Sequence, residues 1–344
     1  MSSRKILKIV VLMGGSTPEY EISLLSGREV VRNLPSKYEA IPVVVSRDGS
    51  KWYLTDRKTL LLQRDPLKLF GSGEDIDFNK GKSKLISLNN IRGKVDVVFI
   101  AMHGRFGEDG AVQGMLELAG IPYTGPGVLA SALGMDKLMF RKVMSSAGIP
   151  IPKYVVFKKG QKISNLNLHL GEYPYFVKPH NQGSSVGNTI VRSRADLKSA
   201  LNKALEFSDT ALIDEYIEGI EITCGILGNE NPVALPLVEI KPLKGEFFDY
   251  DSKYLESGAE EIVPAIISKK LTKEIQNIAL KVYKEIGCRG FSRVDFIVKQ
   301  GKDPIVLEIN TIPGLTPMSL LPKAAEAYGL SFTQLLDKII NYAI

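Results

Sequence analysis

Phe291-Ser292-Arg293-Val294-Asp295-Phe296-Ile297-Val298, a polar turn over 299–303, then Pro304-Ile305-Val306-Leu307-Glu308-Ile309-Asn310-Thr311-Ile312-Pro313-Gly314: this stretch decides how the chain reads. Two apolar runs joined by a short polar turn predict a hairpin. Residues two apart share a face of a strand. Arg293 therefore sides with Asp295, and Glu308 with Asn310. Asp295, Glu308 and Asn310 form a set of three hard oxygen donors, which suits Mg²⁺ with substrate phosphates completing its shell. Arg293 beside them would stabilise charge that develops in phosphoryl or acyl transfer. The plain alternative is a hairpin with solvated acids. It fits poorly, because these acids are interleaved with Phe, Ile, Val and Leu.

Working outward, 344 residues imply two or three domains. The 44% hydrophobic and 24% charged composition is that of an ordinary soluble globular chain. The net charge of +6 invites a nucleic-acid reading, but the basic residues are scattered and form no stripe with interleaved aromatics. Anionic ligands account for the charge as well. Cys224 and Cys288 are the only cysteines and make no CxxC, as expected in a reducing cytoplasm. No run approaches the ~18 apolar residues of a membrane span. The start of the chain reads as a first strand and not as a signal peptide.

Strand signals at 9–13, 41–46 and 95–101 alternate with helical ones at 24–34 and 112–119, which is βαβ logic and predicts a parallel sheet. The 54–91 segment reads as a loop-rich insertion. A helix over 136–147 ends at Gly148 and Pro150. Strands of antiparallel type follow at 154–157 and 175–178. A helix over 195–207 comes next, then strands at 211–217, 222–227 and 233–240. A helix over 271–286 leads into the hairpin, and helices over 321–328 and 332–342 close the chain.

Several loops carry chemistry. Gly14-Gly15-Ser16 follows the first strand, and Glu21 opens the first helix where an amine could be met; Ser23 has a plain reading as a helix cap. His103-Gly104-Arg105-Phe106-Gly107-Glu108-Asp109-Gly110 lies at the end of a strand, where ligands bind in open α/β sheets. Lys178 leads into Gly183-Ser184-Ser185-Val186-Gly187, whose small residues let backbone N–H groups approach phosphates. The order of lysine and glycines is not that of a Walker A loop. Lys137 is a second phosphate candidate; alone it would read as a solvated helix lysine. Asp214-Glu215-Tyr216-Ile217 and Glu221 follow a strand and could meet an adenine edge and ribose, the alternative being an ordinary edge strand. The 244–261 segment carries four aromatics between Phe247 and Tyr254 and reads as a lid.

Taken together and in this order, these motifs resemble the D-alanine–D-alanine ligases of the ATP-grasp superfamily, over nearly the whole chain. The resemblance implies an α/β fold, α+β in its C-terminal half, in a three-domain ATP-grasp architecture. Its parts would be an N-terminal parallel βαβ substrate domain over 1–125, a central domain over 126–213, and a C-terminal domain over 214–344 with the lid at 244–261. It implies ATP as co-substrate. Lys137, Lys178 and Ser185 would meet its phosphates, Asp214, Glu215, Tyr216 and Ile217 its adenine, Glu221 its ribose and Lys253 its γ-phosphate. Two Mg²⁺ ions, or Mn²⁺, would bind Asp295, Glu308 and Asn310. Glu21 would hold the ammonium of the first D-alanine near His103, and would join Ser184 and Tyr254 in a triad that latches the lid. Ser319 and Leu320 would receive the carboxylate of the second D-alanine. Arg293 and the Gly314 N–H would stabilise the oxyanion.

The activity so implied is ligation of two D-alanines through an acyl phosphate for peptidoglycan precursor synthesis, in a cytoplasmic homodimer that binds neither nucleic acid nor membrane. Phe248 and Phe106 depart from residues common in relatives, and neither belongs to the metal or oxyanion set. Tyr254 favours an amine over lactate as nucleophile and says little against D-serine. The competing readings are a D-alanine–D-serine or D-alanine–D-lactate ligase, and a nucleotide-binding regulator without turnover. A regulator would be expected to lose a metal ligand or Arg293, and all are present.

Overall fold

The structure is a computed structural model and describes residues 6–62, 83–166, 168–243 and 259–344. The first sheet is ordered β4-β3-β2-β1-β5. Its centre is β1 (Leu7–Gly14), with β2 (Tyr38–Val45) and β5 (Val97–Ile100) parallel on either side. Ile9 to Met13 are fully buried, as expected of a strand covered on both faces. Helix α1 (Tyr20–Asn33) packs so closely on β1 that a Cβ at Gly27 would lie 2.5 Å from the Met13 sulfur.

The sheet is not wholly parallel, which corrects the expectation for this half. β3 (Trp52–Leu54) is antiparallel to β2, and β4 (Lys84–Ile86) is antiparallel to β3. The cause is the length of the link. A parallel return needs a crossover of a dozen or so residues, whereas the chain turns back over 46–51, closed by Ser46 N–H donating to the Lys51 carbonyl at 2.9 Å. The 54–91 segment is thus partly ordered into β3, α2 (Arg57–Leu62), β4 and α3 (Leu88–Ile91). Residues 63–82 lie outside the described ones. Helix α4 (Ala111–Leu118) follows the loop that leaves β5.

A second, antiparallel sheet is ordered β6-β9-β7-β8. It comprises β6 (Tyr154–Lys158), β7 (Tyr175–Pro179), β8 (Thr189–Val191) and β9 (Thr210–Glu215), with α7 (Leu197–Leu205) across it. β9 runs through the boundary placed at 213/214.

The third sheet is ordered β13-β12-β10-β14-β15, with β11 (Val233–Ala234) on β10. The other members are β10 (Gly219–Leu227), β12 (Val238–Pro242), β13 (Ala259–Ile262), β14 (Phe291–Lys299) and β15 (Asp303–Asn310). β14 and β15 are the expected hairpin, with a register irregularity between Asp295 and Phe296. Helix α8 (Lys269–Glu285) packs on this sheet through Ile275, Ala279 and Val282. So do α5 (Val128–Met135) and α6 (Lys137–Ser146), whose Ala130, Phe140 and Met144 share that core with Phe296 and Ile309. Residues expected in a central unit therefore pack on the C-terminal sheet. Helices α9 (Leu320–Ala327) and α10 (Phe332–Asn341) join the core of the first sheet through Leu321, Leu335 and Ile339.

Candidate active site

A cavity of about 480 Å³ lies between the second and third sheets. The β14–β15 hairpin makes one wall. Its register pairs Arg293 with Asn310 and Asp295 with Glu308, which places all four on one face. Arg293 grips Asp295 with two bonds, Nε to Oδ1 at 2.7 Å and a terminal nitrogen to Oδ2 at 2.8 Å, and Asn310 Nδ2 donates to Oδ2 at 2.8 Å. Arg293 is thus bound to a carboxylate it was expected only to neighbour. Among the described residues no three His, Cys, Asp or Glu side chains form a metal cage. The donor set of two carboxylates and one amide nevertheless suits Mg²⁺, which binds through one or two carboxylates and substrate phosphates.

Two lysines line the same cavity. Lys137 is the first residue of α6, whose cap Asp136 accepts from the N–H groups of Leu138 and Met139. Its Nζ lies 3.0 Å from Glu308 Oε2 and donates to the Gln182 carbonyl at 2.7 Å. Lys178, near the end of β7, is buried with Nζ 3.0 Å from Asp214 Oδ2. Burial pushes its ammonium down to about 8; Asp214 and Glu308 pull it back up, and Arg141 and Lys137 push it further down. Glu215, Tyr216, Ile217 and Glu221 line the cavity. Asp214 does too, but its carboxylate faces both Lys178 and Arg141, which grips both of its oxygens. Burial opposes that charge, yet the two cations hold the Asp214 carboxyl below the usual range.

The Ser184 loop corrects one expectation. Ser184 and Ser185 both adopt left-handed backbone, φ 48° and 59°, a conformation that non-glycine residues hold only when their surroundings impose it. Ser184 Oγ donates to Glu19, not to Glu21. Glu19 sits where two loops close: a Cβ at Gly104 would lie 2.5 Å from its Oε2, and one at Gly183 would lie 3.0 Å away. Glu21, two residues on in α1, instead pairs with Arg47 at 2.6 Å, and that guanidinium lies 4.3 Å from the centre of the Tyr20 ring. The two acids point to different partners because the helical turn that begins at Tyr20 rotates Glu21 away by about 200°. Ser23 is no helix cap either. It accepts from Gly14 N–H at 2.8 Å and donates to the Ala101 carbonyl at 2.9 Å, joining the ends of β1 and β5.

His103 is buried, with Nε2 2.8 Å from Ser26 Oγ and Nδ1 3.0 Å from the Ile312 carbonyl. A carbonyl only accepts, so Nδ1 carries a proton. Burial pulls the imidazolium down, but the hydrogen bond and charge of Glu108, the charge of Glu19 and the Ile312 carbonyl outweigh it and raise the pKa. His103 therefore ties the first sheet to the segment after β15. On that segment a Cβ at Gly314 would lie 2.9 Å from Ser319 Oγ, which accepts from Thr316 N–H at 3.1 Å. The Leu320 side chain is buried in the core, so a ligand would meet its backbone. Lys253, Tyr254 and the lid residues 244–258 lie outside the described residues.

The family models for the N-terminus and the C-terminus of D-ala D-ala ligase match residues 8–126 and 143–341. The chain belongs to the D-alanine–D-alanine ligase family. A D-alanine–D-alanine ligase of Carboxydothermus hydrogenoformans is 39% identical over 97% of this chain and 97% of its own. Among solved structures, the VanG D-Ala:D-Ser ligase of Enterococcus faecalis is similar at a TM-score of 0.83 and 35% identity, covering 99% of this chain and 100% of that one. The Bacillus anthracis D-alanine–D-alanine ligase complexed with ATP matches at 0.74 and 32%, covering 98% and 97%. The three sheets are thus the ATP-grasp architecture of this ligase family. Sequence reasoning missed Glu19 and Arg141. Glu19 gave no local signal beyond lying between Gly14-Gly15 and the helix start. Arg141 had one: it stands four residues after Lys137, on the same helix face.

Proposed function

We propose that the protein joins two D-alanines to D-alanyl-D-alanine at the expense of ATP. In a chain of this family, the observation that carries the reading is the cavity whose lining brings Lys137 and Lys178 together with Arg293, Asp295 and Glu308. A carboxylate is a poor electrophile, so one of its oxygens first attacks the γ-phosphorus of ATP. The bond to the β-phosphate oxygen breaks, and ADP and an acyl phosphate form. The amine of the second D-alanine then attacks the acyl carbon. The carbon–oxygen bond to phosphate breaks, phosphate leaves, and the nitrogen gives up a proton.

Lys137 and Lys178 bind and orient the phosphates, which supplies much of the rate through positioning. Arg293 and the Gly314 N–H stabilise the tetrahedral oxyanion, each such donor contributing roughly 3 kcal/mol. Glu19, in place of Glu21, holds the ammonium of the first D-alanine. Asp295, Glu308 and the amide oxygen of Asn310 would hold Mg²⁺, which when bound neutralises charge on the transferring phosphoryl group. The family resemblance supports a cytoplasmic homodimer with a role in peptidoglycan precursor synthesis.

D-serine as second substrate is the alternative that an observation favours, through the similarity to a D-Ala:D-Ser ligase. The test is phosphate release from Mg·ATP with D-alanine, D-serine, D-lactate or L-alanine, singly and paired with D-alanine, the product identified by mass. D-alanine-dependent release of D-alanyl-D-alanine supports the proposal. Preference for D-serine moves the specificity, and no release with any of them refutes the ligase reading.

A further inference from the structure

Arg141 is fully buried, in the second layer behind the cavity wall. It stands on α6 one turn after Lys137, where its two terminal nitrogens grip both oxygens of Asp214 and its guanidinium lies 5.0 Å from the centre of the Tyr154 ring. Its buried Nε has no hydrogen-bond partner among the described residues. Asp214 Oδ2, already held by Arg141, is also the atom 3.0 Å from Lys178 Nζ. One carboxylate therefore bridges two cations, and the cluster of Arg141, Lys178 and Asp214 carries one net positive charge. Of the two cations, Lys178 is the one that lines the cavity.

Such a cluster is an expensive way to gain stability, because desolvating three charges offsets their attraction, and apolar side chains of equal volume often do as well or better. Its geometry does something else. A planar guanidinium bound through two parallel bonds fixes the plane of its carboxylate, which a lysine cannot do. The fixed carboxylate fixes Lys178. Because Arg141 already satisfies much of the Asp214 charge, the Lys178 ammonium keeps a positive surplus facing the cavity. Without Arg141, Asp214 and Lys178 would close into a pair of zero net charge. The same grip ties α6, which carries Lys137, to β9, which leads into 215–217.

We propose that Arg141 is a positioning residue for the nucleotide: by clamping Asp214 from behind, it holds Lys178 aimed at the phosphates and keeps α6 in register with the strand that meets the base. This rests on the nucleotide-binding part of the function proposed above and on nothing about the acid that is ligated.

The test uses the full chain with R141K, which keeps a paired charge and so keeps the fold, and R141Q, which removes the charge. ADP affinity is measured by calorimetry, the KM for D-alanine by phosphate release at saturating ATP, and folding by thermal melt. R141K is expected to weaken ADP binding about tenfold, the loss of one charge-assisted hydrogen bond, and R141Q to weaken it further. The D-alanine KM should stay within about twofold. ADP affinity in R141K within about twofold of the parent overturns the proposal, whatever its melting point. So does an equal weakening towards ADP and D-alanine, which would mean general disorder of the site. If R141Q does not fold, R141K decides. If the parent releases no phosphate with D-alanine, the ligase reading fails while the ADP measurement still judges Arg141.

Discussion

Glu19→Gln and Glu21→Gln make a matched pair, because the two acids stand two residues apart and the structure gives them different work. Glu19 accepts from Ser184 and lies against Gly104 and Gly183, where an added Cβ would fall 2.5 Å and 3.0 Å from its Oε2. Gln is isosteric, and its amide oxygen still accepts from Ser184. What it loses is the negative charge proposed to pair with the substrate ammonium. That is one charge-assisted hydrogen bond, ~1.5–3 kcal/mol, or about ten- to hundredfold in kcat/KM for the first D-alanine. The KM for ATP should stay close to that of the parent. Glu21 pairs with Arg47, whose side chain is 32% exposed against 4% for Glu21. Solvent screens that partner, so Glu21→Gln should cost about 1 kcal/mol of stability and leave both KM values near those of the parent. The assay is phosphate release with D-alanine varied at saturating ATP, alongside a thermal melt of each variant. A D-alanine KM that rises as much in Glu21→Gln as in Glu19→Gln would refute this assignment.

The Lys178 ammonium, held at about 8 by burial against an ordinary 10.5, makes two opposite pH statements. Its cost to folding is full below about pH 8 and fades as pH rises towards the unfolded value, whereas ATP affinity should fall as pH rises through about 8; flat ATP binding from about pH 7 to pH 9 would refute the second. Gly314→Ala places a Cβ 2.9 Å from Ser319 Oγ and so displaces the N–H proposed to meet the oxyanion. Its kcat should fall about a hundredfold, and near-parental turnover would remove Gly314 from the oxyanion site. Asp295→Asn takes away a proposed metal donor and the partner of Arg293, so the Mg²⁺ needed for half-maximal rate should rise sharply, and an unchanged Mg²⁺ titration would exclude Asp295 as a ligand. Burial pushes both thiols, Cys224 and Cys288, well up, so neither should react with a thiol reagent at neutral pH until the protein unfolds.

The hairpin was legible because its signal is local, two runs of β-branched and aromatic residues and a polar turn, but the register shift between Asp295 and Phe296 that sets Asp295 opposite Glu308 gives no such signal. The first sheet was only half legible. Alternating strand and helix signals specify parallel neighbours, and they do specify β1, β2 and β5. They are silent on a three-residue strand such as β3, which exists because β2 offers it an edge. Helices α5 and α6 show the same limit. Their amphipathic pattern says that Phe140 and Met144 are buried, but not which sheet buries them.

The site divides along the same line. Lysines, glycines and acids announce themselves by residue type, so Lys137, Lys178, Asp295 and Glu308 could be found in the sequence before any of them had a neighbour. Partnership does not announce itself. Glu19 and Glu21 are the same residue type in the same motif, and what separates them is Ser184, 165 positions away. That the Ser184 loop needs a left-handed backbone at two serines means that its conformation is imposed from outside, and the Glu19 contact is part of what imposes it. The Glu19–Ser184 contact therefore spans two otherwise separate sheets, and its loss should be felt in both: at the ammonium site beside β1 and in the phosphate loop after β7. In Glu19→Ala, where no acceptor remains, nucleotide affinity should consequently fall together with that for D-alanine, whereas Glu19→Gln spares it. Equal ATP affinity in the two variants would mean that the loop holds its shape without Glu19.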